Sequence, residues 1–155
     1  MKIKKALKTD AKVLTELTIR SKSHWGYGKK QIEEWRAELI ITEKYIKQNH
    51  IYKLEIDTLA IGFYAYRSEN ETDIKLDYLF VEPKYIRKGY GQLLMSDFIK
   101  RIENSEFERV ILDADPNAEE FYNKLGFRVI GKLKSTIKNR FLPIMELKIE
   151  NYFKN

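Results

Sequence analysis

The chain has no cysteine, only three prolines and only two histidines among its 155 residues. Without thiols there is no disulfide, no zinc–thiolate site and no cysteine nucleophile, and a reducing cytoplasm is the default expectation. No apolar run approaches the roughly 18 residues a membrane span needs, so no membrane partner is expected. The basic start MKIKKALKTD is not followed by the apolar stretch of a secretory signal. Pro-rich and Ser/Gly-rich linkers, internal repeats and low-complexity segments are all lacking. The length fits one domain, 1–155, with a sizeable core, because a chain this long buries about 70% of its unfolded surface.

What is present in excess is positive charge, +6 overall. That suits an anionic partner, either nucleic acid or a phosphorylated small molecule, with a solvated basic surface as the plainer alternative. Lys2, Lys4, Lys5 and Lys8 fit the plainer account, alternating with Ile3 and Leu7 along a first strand at 2–7. A helix opening at Thr9 or Asp10 places Val13, Leu14 and Leu17 on one face. SHWGYGKK breaks it with two glycines, and helical spacing resumes through Ile32, Trp35 and Leu39. After Asn49 the pattern changes to strands. Segments 51–56 and 60–67 form a hairpin around Asp-Thr-Leu, SENETD is a polar turn, and 74–81 is a third strand ended by Pro83. A helix over 89–103 buries Leu94, Met95, Phe98, Ile99 and Ile102. A central strand follows at 109–114, and then a helix from Pro116 and Asn117 to a stop at Gly126. Strands at 127–132 and 141–149 complete the chain. Strand, helix, strand over 74–114 is a right-handed crossover that makes its two strands parallel, while short links make the others antiparallel. The fold expected is α/β: a twisted, mostly antiparallel mixed sheet with one parallel pair and helices on both faces.

The segment VEPKYIRKGYG stands out. Glycine inside a helix costs about 1 kcal/mol against alanine, so two at a helix head suggest a backbone that a ligand approaches. The first turn of a helix has unpaired N–H groups and partial positive charge, where phosphate binds readily. Gly89 and Gly91 remove side chains and permit the φ values that a nest of N–H groups requires. Arg87 and Lys88 add charge. A plain helix start is the alternative. The spacing is not that of a Walker A loop, nor of the dinucleotide G-x-G-x-x-G, since Leu94 occupies the third glycine position.

About thirty residues later comes DADPNAEEFYNKLGF. Together the two segments resemble the GCN5-related N-acetyltransferase (GNAT) superfamily, with its [Q/R]-x-x-G-x-[G/A] turn and its A-x-x-F-Y-x-x-x-G-F helix. Gly89 and Gly91 match the first motif, and Ala118, Phe121, Tyr122, Gly126 and Phe127 the second. The element order matches along essentially the whole chain. A subgroup similar to this chain carries S-K-x-H-W-G-Y and a late S-x-x-x-x-R-x-L-P run, here Ser135, Arg140, Leu142 and Pro143. One departure is Ile86, which stands where Gln or Arg is usual, with Arg87 one place later.

The resemblance implies acetyl-CoA as co-substrate, no metal, and direct transfer of acetyl to a primary amine of a small molecule or peptide. Pyrophosphate is expected on Arg87, Lys88, Gly89, Tyr90, Gly91 and Gln92, and pantetheine on the main chain of Leu79, Phe80 and Val81. Asn117 is matched to a pantetheine or pyrophosphate contact, with helix N-cap as its rival role. Tyr122 is matched to the general acid that protonates the departing thiolate, with a core tyrosine as the alternative. For a base, Asp77 in an apolar strand and His24 near two glycines are candidates, against a salt bridge and a loop hydrogen bond respectively. His24, Trp25, Tyr27 and Arg140 are expected to wall the acceptor site, the aromatic rings favouring a cation and Arg140 a carboxylate. A homodimer is common in the superfamily. The alternative function is an acyl-CoA sensor or complex subunit without turnover. A nucleic-acid binder, which would use the aromatics of AIGFYAYR, lacks an RNP1-like match and no such partner is expected.

Overall fold

Period-two alternation over 50–81 and period-3.6 stripes elsewhere decide the elements. The computed structural model describes residues 1–135 and 140–154. The strands are β1 (Lys2–Lys5), β2 (His50–Ile56), β3 (Leu59–Ser68), β4 (Asp73–Val81), β5 (Arg109–Asp113), β6 (Arg128–Lys134) and β7 (Phe141–Lys148). The helices are α1 (Ala11–Ser23), α2 (Lys29–Leu39), α3 (Glu43–Gln48), α4 (Tyr90–Ile102), α5 (Glu119–Lys124) and α6 (Ile149–Tyr152). One seven-stranded sheet has the order β1-β2-β3-β4-β5-β7-β6. Its β4–β5 pair is parallel, joining Asp73–Lys75 to Arg109–Ile111, as the crossover predicts. The α/β class and the mixed sheet are therefore as expected.

By its contacts the chain divides into two compact units. The first comprises Met1–Tyr66 and Tyr78–Asp97; the second, Arg67–Asp77 and the chain from Phe98 onward. In the first unit, Leu14, Leu17, Ile41, Ile46, Ile51, Phe63 and Ala65 form one cluster, so α1 and α3 cover one sheet face. Tyr64, pointing the opposite way from its strand neighbours, donates its hydroxyl to Asp97 of α4 at 2.6 Å, which places α4 on the other face. Burying Leu94 and Met95 there contributes about 1.5–3 kcal/mol each. Gly62 of β3 is required at this contact: a Cβ would lie 3.0 Å from the Phe80 carbonyl and 3.1 Å from Leu94 Cδ1.

In the second unit, β5 and β6 flank β7 in antiparallel registers. The buried carboxylates are neutralised locally. Arg109 donates from Nε to Asp73 at 2.8 Å and from Nη1 to Glu146 at 2.6 Å, while Arg128 Nε reaches Glu146 at 2.8 Å. The three-cation edge strand β6, with Arg128, Lys132 and Lys134, is shifted in register between Val129 and Gly131. Charge and bulging together discourage pairing with a further strand.

Several sequence expectations need correction. Val13 is 42% exposed, and the buried face of α1 is Leu14, Leu17, Thr18 and Ser21. Asp10 does not cap the helix ahead of it; it accepts from Leu7 N–H behind it and from Lys53 Nζ. The hairpin turn is Asp57-Thr58 alone, both residues left-handed. The short helix α3, capped by Thr42 Oγ1 accepting from Tyr45 N–H at 2.9 Å, lies in a stretch to which the sequence pattern assigned no element. The aromatics of AIGFYAYR offer no stacking platform, since Tyr64 is fully buried and Tyr66 nearly so.

Candidate active site

In the first unit, β4 runs out at Val81 and a short 3-10 turn, Pro83–Tyr85, leads to Arg87. Arg87 has φ +64° and Gly89 φ +86°, with Lys88 of ordinary handedness in between. Such alternation bunches successive N–H groups into an anion-binding concavity. The Gly89 carbonyl accepts the first helical bond, from Leu93 N–H at 3.0 Å. The N–H groups of Tyr90, Gly91 and Gln92 therefore precede any carbonyl of their own helix. A Cβ at Gly89 would meet nothing within 4 Å, so the space above it is open. Sequence reasoning assigned a special φ to both glycines. The structure gives it to Gly89 and Arg87, and places Gly91 in the first turn of α4 with ordinary φ. The turn is basic: Lys84 and Lys88 lie 5.5 and 5.6 Å from the Tyr85 ring centre, and Tyr85 meets Tyr90 edge-on.

Leu79, Phe80 and Val81 close β4 as half-buried residues. The Phe80 ring sits 6.0 Å from Phe63, and the Val81 carbonyl accepts from Ser21 Oγ at 2.8 Å. Beside that bond Arg20 grips Glu82 through two hydrogen bonds of 2.6 and 2.8 Å. Arg20, Ser21 and Glu82 were not singled out from sequence, because nothing in the residues around them marks the pairing. Where α1 ends, His24 is exposed and meets Trp25 edge-on at 5.0 Å. Tyr27 meets Trp35 at 4.8 Å. Lys22 Nζ lies 5.8 Å from the Tyr27 ring and 5.4 Å from that of Trp35, so the cation beside these aromatics is the chain's own.

The second unit holds Tyr122, Asn117, Arg140 and Asp77. Tyr122 is buried on α5, with Phe121 and Phe127 edge-on at 5.2 and 5.5 Å. Burial, and secondarily the negative charge of Asp115, push its phenol well above the ordinary 10. Left-handed Gly126 follows α5 as a stop, with φ +102°. Asp115, not Asn117, caps the 3-10 turn Pro116–Ala118 that leads into α5: Asp115 Oδ1 accepts from both the backbone N–H and the Nδ2 of Asn117 at 2.9 Å. Its other oxygen, Oδ2, lies 3.3 Å from Arg140 Nη2. Asp115 was missed, although Asp-Pro at a helix start is a recognisable cap signal. Asp77 lies 3.2 Å from Arg67 Nε, the salt-bridge alternative raised for it.

Among the described residues no cluster of three or more His, Cys, Asp or Glu side chains is grouped to hold a metal, and no helix is long and apolar enough to cross a membrane.

The chain is 30% identical over 102 residues to an uncharacterized N-acetyltransferase, ycf52, of Porphyra purpurea, covering 66% of this chain and 58% of that protein. It is 30% identical over 116 residues to the uncharacterized N-acetyltransferase YafP of Escherichia coli K12, covering 74% and 69%. The chain thus spans little more than half the length of ycf52. Among solved structures, the PaiA N-acetyltransferase of Thermoplasma acidophilum in complex with coenzyme A superposes with a TM-score of 0.77 at 22% identity, covering 95% of this chain and 98% of that one. That likeness is one of fold. The model of the acetyltransferase (GNAT) domain matches residues 25–149, and the chain belongs to that family.

Proposed function

We propose that the chain is an N-acetyltransferase that carries acetyl from acetyl-CoA to a primary amine by direct attack. The observation that carries this reading is the turn at Arg87–Gly89: alternating handedness, an open space where a Cβ would stand, and a helix start behind it. A diphosphate fits such donors, and a structural relative was solved with coenzyme A bound. On this reading Arg87, Lys88, Gly89, Tyr90, Gly91 and Gln92 hold the pyrophosphate, and Leu79 and Phe80 offer main chain to the pantetheine arm. The Val81 carbonyl already accepts from Ser21, which leaves its N–H as the group of that residue for the arm. Asn117 is proposed as a further contact to the coenzyme.

In the transfer the amine nitrogen bonds to the thioester carbonyl carbon, the C–S bond breaks, and the amine loses a proton. Tyr122 gives its phenolic proton to the sulfur as charge builds there. Its raised pKa keeps it protonated throughout the neutral range and makes it a donor rather than a base. His24, Asp77 or a water takes the proton of the amine. Of the two side chains, His24 is exposed, whereas Asp77 is engaged by Arg67. Isothermal titration with CoA and a thiol-release assay over a panel of primary amines test the proposal. Binding with turnover of at least one amine is expected. Binding without turnover across the panel favours the sensor reading, and failure to bind CoA ends both.

A further inference from the structure

The five residues from Lys84 to Lys88 include three cations, Lys84, Arg87 and Lys88, and the chain has no aspartate or glutamate between Glu82 and Asp97. Those two acids are engaged elsewhere. Arg20 grips Glu82 through both carboxylate oxygens, and Asp97 accepts the Tyr64 hydroxyl. Among the described residues none of the three cations is in an ion pair. Two of them are nonetheless held. The 3-10 turn Pro83–Tyr85 brings Lys84 over the Tyr85 ring, 5.5 Å from its centre, and Lys88 lies over the same ring at 5.6 Å. Tyr90, the first residue of α4, meets that ring edge-on. One half-buried tyrosine thus gathers two exposed ammonium groups at the Arg87–Gly89 turn.

We infer that Lys84, with Lys88, recognises the 3′-phosphate on the ribose of the coenzyme, and so selects CoA over its 3′-dephospho form. The inference rests on the acetyltransferase reading, in which the turn holds the diphosphate. The left-handed Arg87 and Gly89 and the N–H groups that open α4 already suit that diphosphate. Lys84 adds a cation outside this set of donors. The 3′-phosphate is a monoester carrying about −1.5 to −2 at neutral pH, and it stands on the same nucleotide as the diphosphate. An ammonium meets it as a point charge, without the bidentate geometry that arginine imposes. Two ammonium groups over one ring repel each other, and an anion beside them removes that cost. The ring orders both lysines before the coenzyme arrives, which lowers the cost of fixing them on binding.

CoA and 3′-dephospho-CoA differ in that phosphate alone, and isothermal titration of both tests the inference. At about 20 mM salt CoA should bind at least about tenfold more tightly, a difference of about 1.4 kcal/mol. The ratio should shrink at about 0.5 M salt, where exposed charges are screened. Lys84→Gln should reduce the ratio to about twofold, whereas Lys84→Arg should keep most of it, because charge rather than shape is read. Lys84 is exposed, so both variants should fold, and thermal unfolding checks this. If the two forms bind equally, or the ratio survives Lys84→Gln or high salt, the inference is overturned while the acetyltransferase reading stands. If neither form binds at about 1 mM, the reading and the inference fall together.

Discussion

Ser21 Oγ donates to the main-chain carbonyl of Val81 at 2.8 Å, and the adjacent Arg20 grips the adjacent Glu82 through both carboxylate oxygens. Two successive residues of α1 thus latch onto the end of β4. Their contributions to stability should run against intuition. The Arg20 side chain is 50% exposed, so solvent screens the ion pair and Arg20→Ala should cost less than about 1 kcal/mol. Ser21 is buried, and Ser21→Ala strands the Val81 carbonyl, costing about 1–2 kcal/mol. Urea unfolding of the two variants checks the order; a larger loss for Arg20→Ala would reverse the assignment.

Tyr122→Phe removes one oxygen from a buried ring whose neighbours, Phe121 and Phe127, are also apolar. The fold should tolerate it. Turnover should fall by about a hundredfold, the lower range for loss of a positioned acid, while the Kd for CoA changes less than about twofold. Because burial raises the phenol above 10, kcat of the native protein should show no loss from phenol ionisation up to that pH. Thiol-release kinetics across pH measure both. Unchanged turnover in the variant would return Tyr122 to the core.

The elements that could be read from sequence are those fixed by local pattern. Strand alternation over 50–81, the Leu94–Ile102 stripe and the Gly126 stop each depend on neighbours a few residues apart. The α3 cap at Thr42 is equally local, but the six-residue helix it starts buries only Ile46, too little to show a stripe. What stayed hidden are pairings across distance. Arg67 with Asp77, Arg140 with Asp115, and Ser21 with Val81 join residues 10 to 60 positions apart. These contacts decide how the candidate residues are occupied. Asp77 was singled out by its place in an apolar strand and Arg140 by the late motif, whereas their chemistry depends on the partner that folding supplies.

Gly89 holds φ +86° with open space where a Cβ would point. Gly89→Ala therefore meets no protein atom, and its stability cost of about 1 kcal/mol is the cost of a left-handed backbone. Gly89→Asn, a residue that tolerates this region, should cost less. If the open space belongs to a diphosphate, both variants weaken CoA by about tenfold or more, because the added side chain occupies the ligand's place. Thermal unfolding and CoA titration separate the effects. A Gly89→Asn protein that is stable and binds CoA normally would reduce the turn to a helix start.

The β2–β3 turn places Asp57 at φ +50° and Thr58 at φ +67°, the mirror-image hairpin turn that asparagine and glycine suit best. A β-branched residue is strained there, and Thr58 is exposed, so no burial compensates. Thr58→Gly should stabilise by about 0.5–1 kcal/mol, the relief of strain outweighing the entropy of glycine. Thr58→Val should give no gain. Unfolding curves decide between them, and a destabilised Thr58→Gly would mean that the Thr58 side chain stabilises the turn.

Arg109 bonds two buried carboxylates at once, Asp73 and Glu146. The Arg109 hydrogen bonds lead in holding Asp73 down at about 2 from 3.8, and they lead in lowering Glu146 too. A depressed folded value means that the unfolded chain takes up the proton first. The stabilisation is therefore fully present above about pH 5 and is lost as pH falls through 4 toward 2. Arg109→Leu leaves both carboxylates without their shared cation and should cost about 3 kcal/mol or more at pH 7. Lowering the pH toward 3 relieves the variant's stranded Asp73 by protonation, while Glu146 keeps Arg128, and it weakens the ion pairs of the wild type, so the gap between the two should shrink. Urea unfolding of both proteins at pH 7 and at about pH 3 measures the gap. A gap of constant size would place the stabilising role of Arg109 in its aliphatic contacts, and the two carboxylates outside the acid response of the fold.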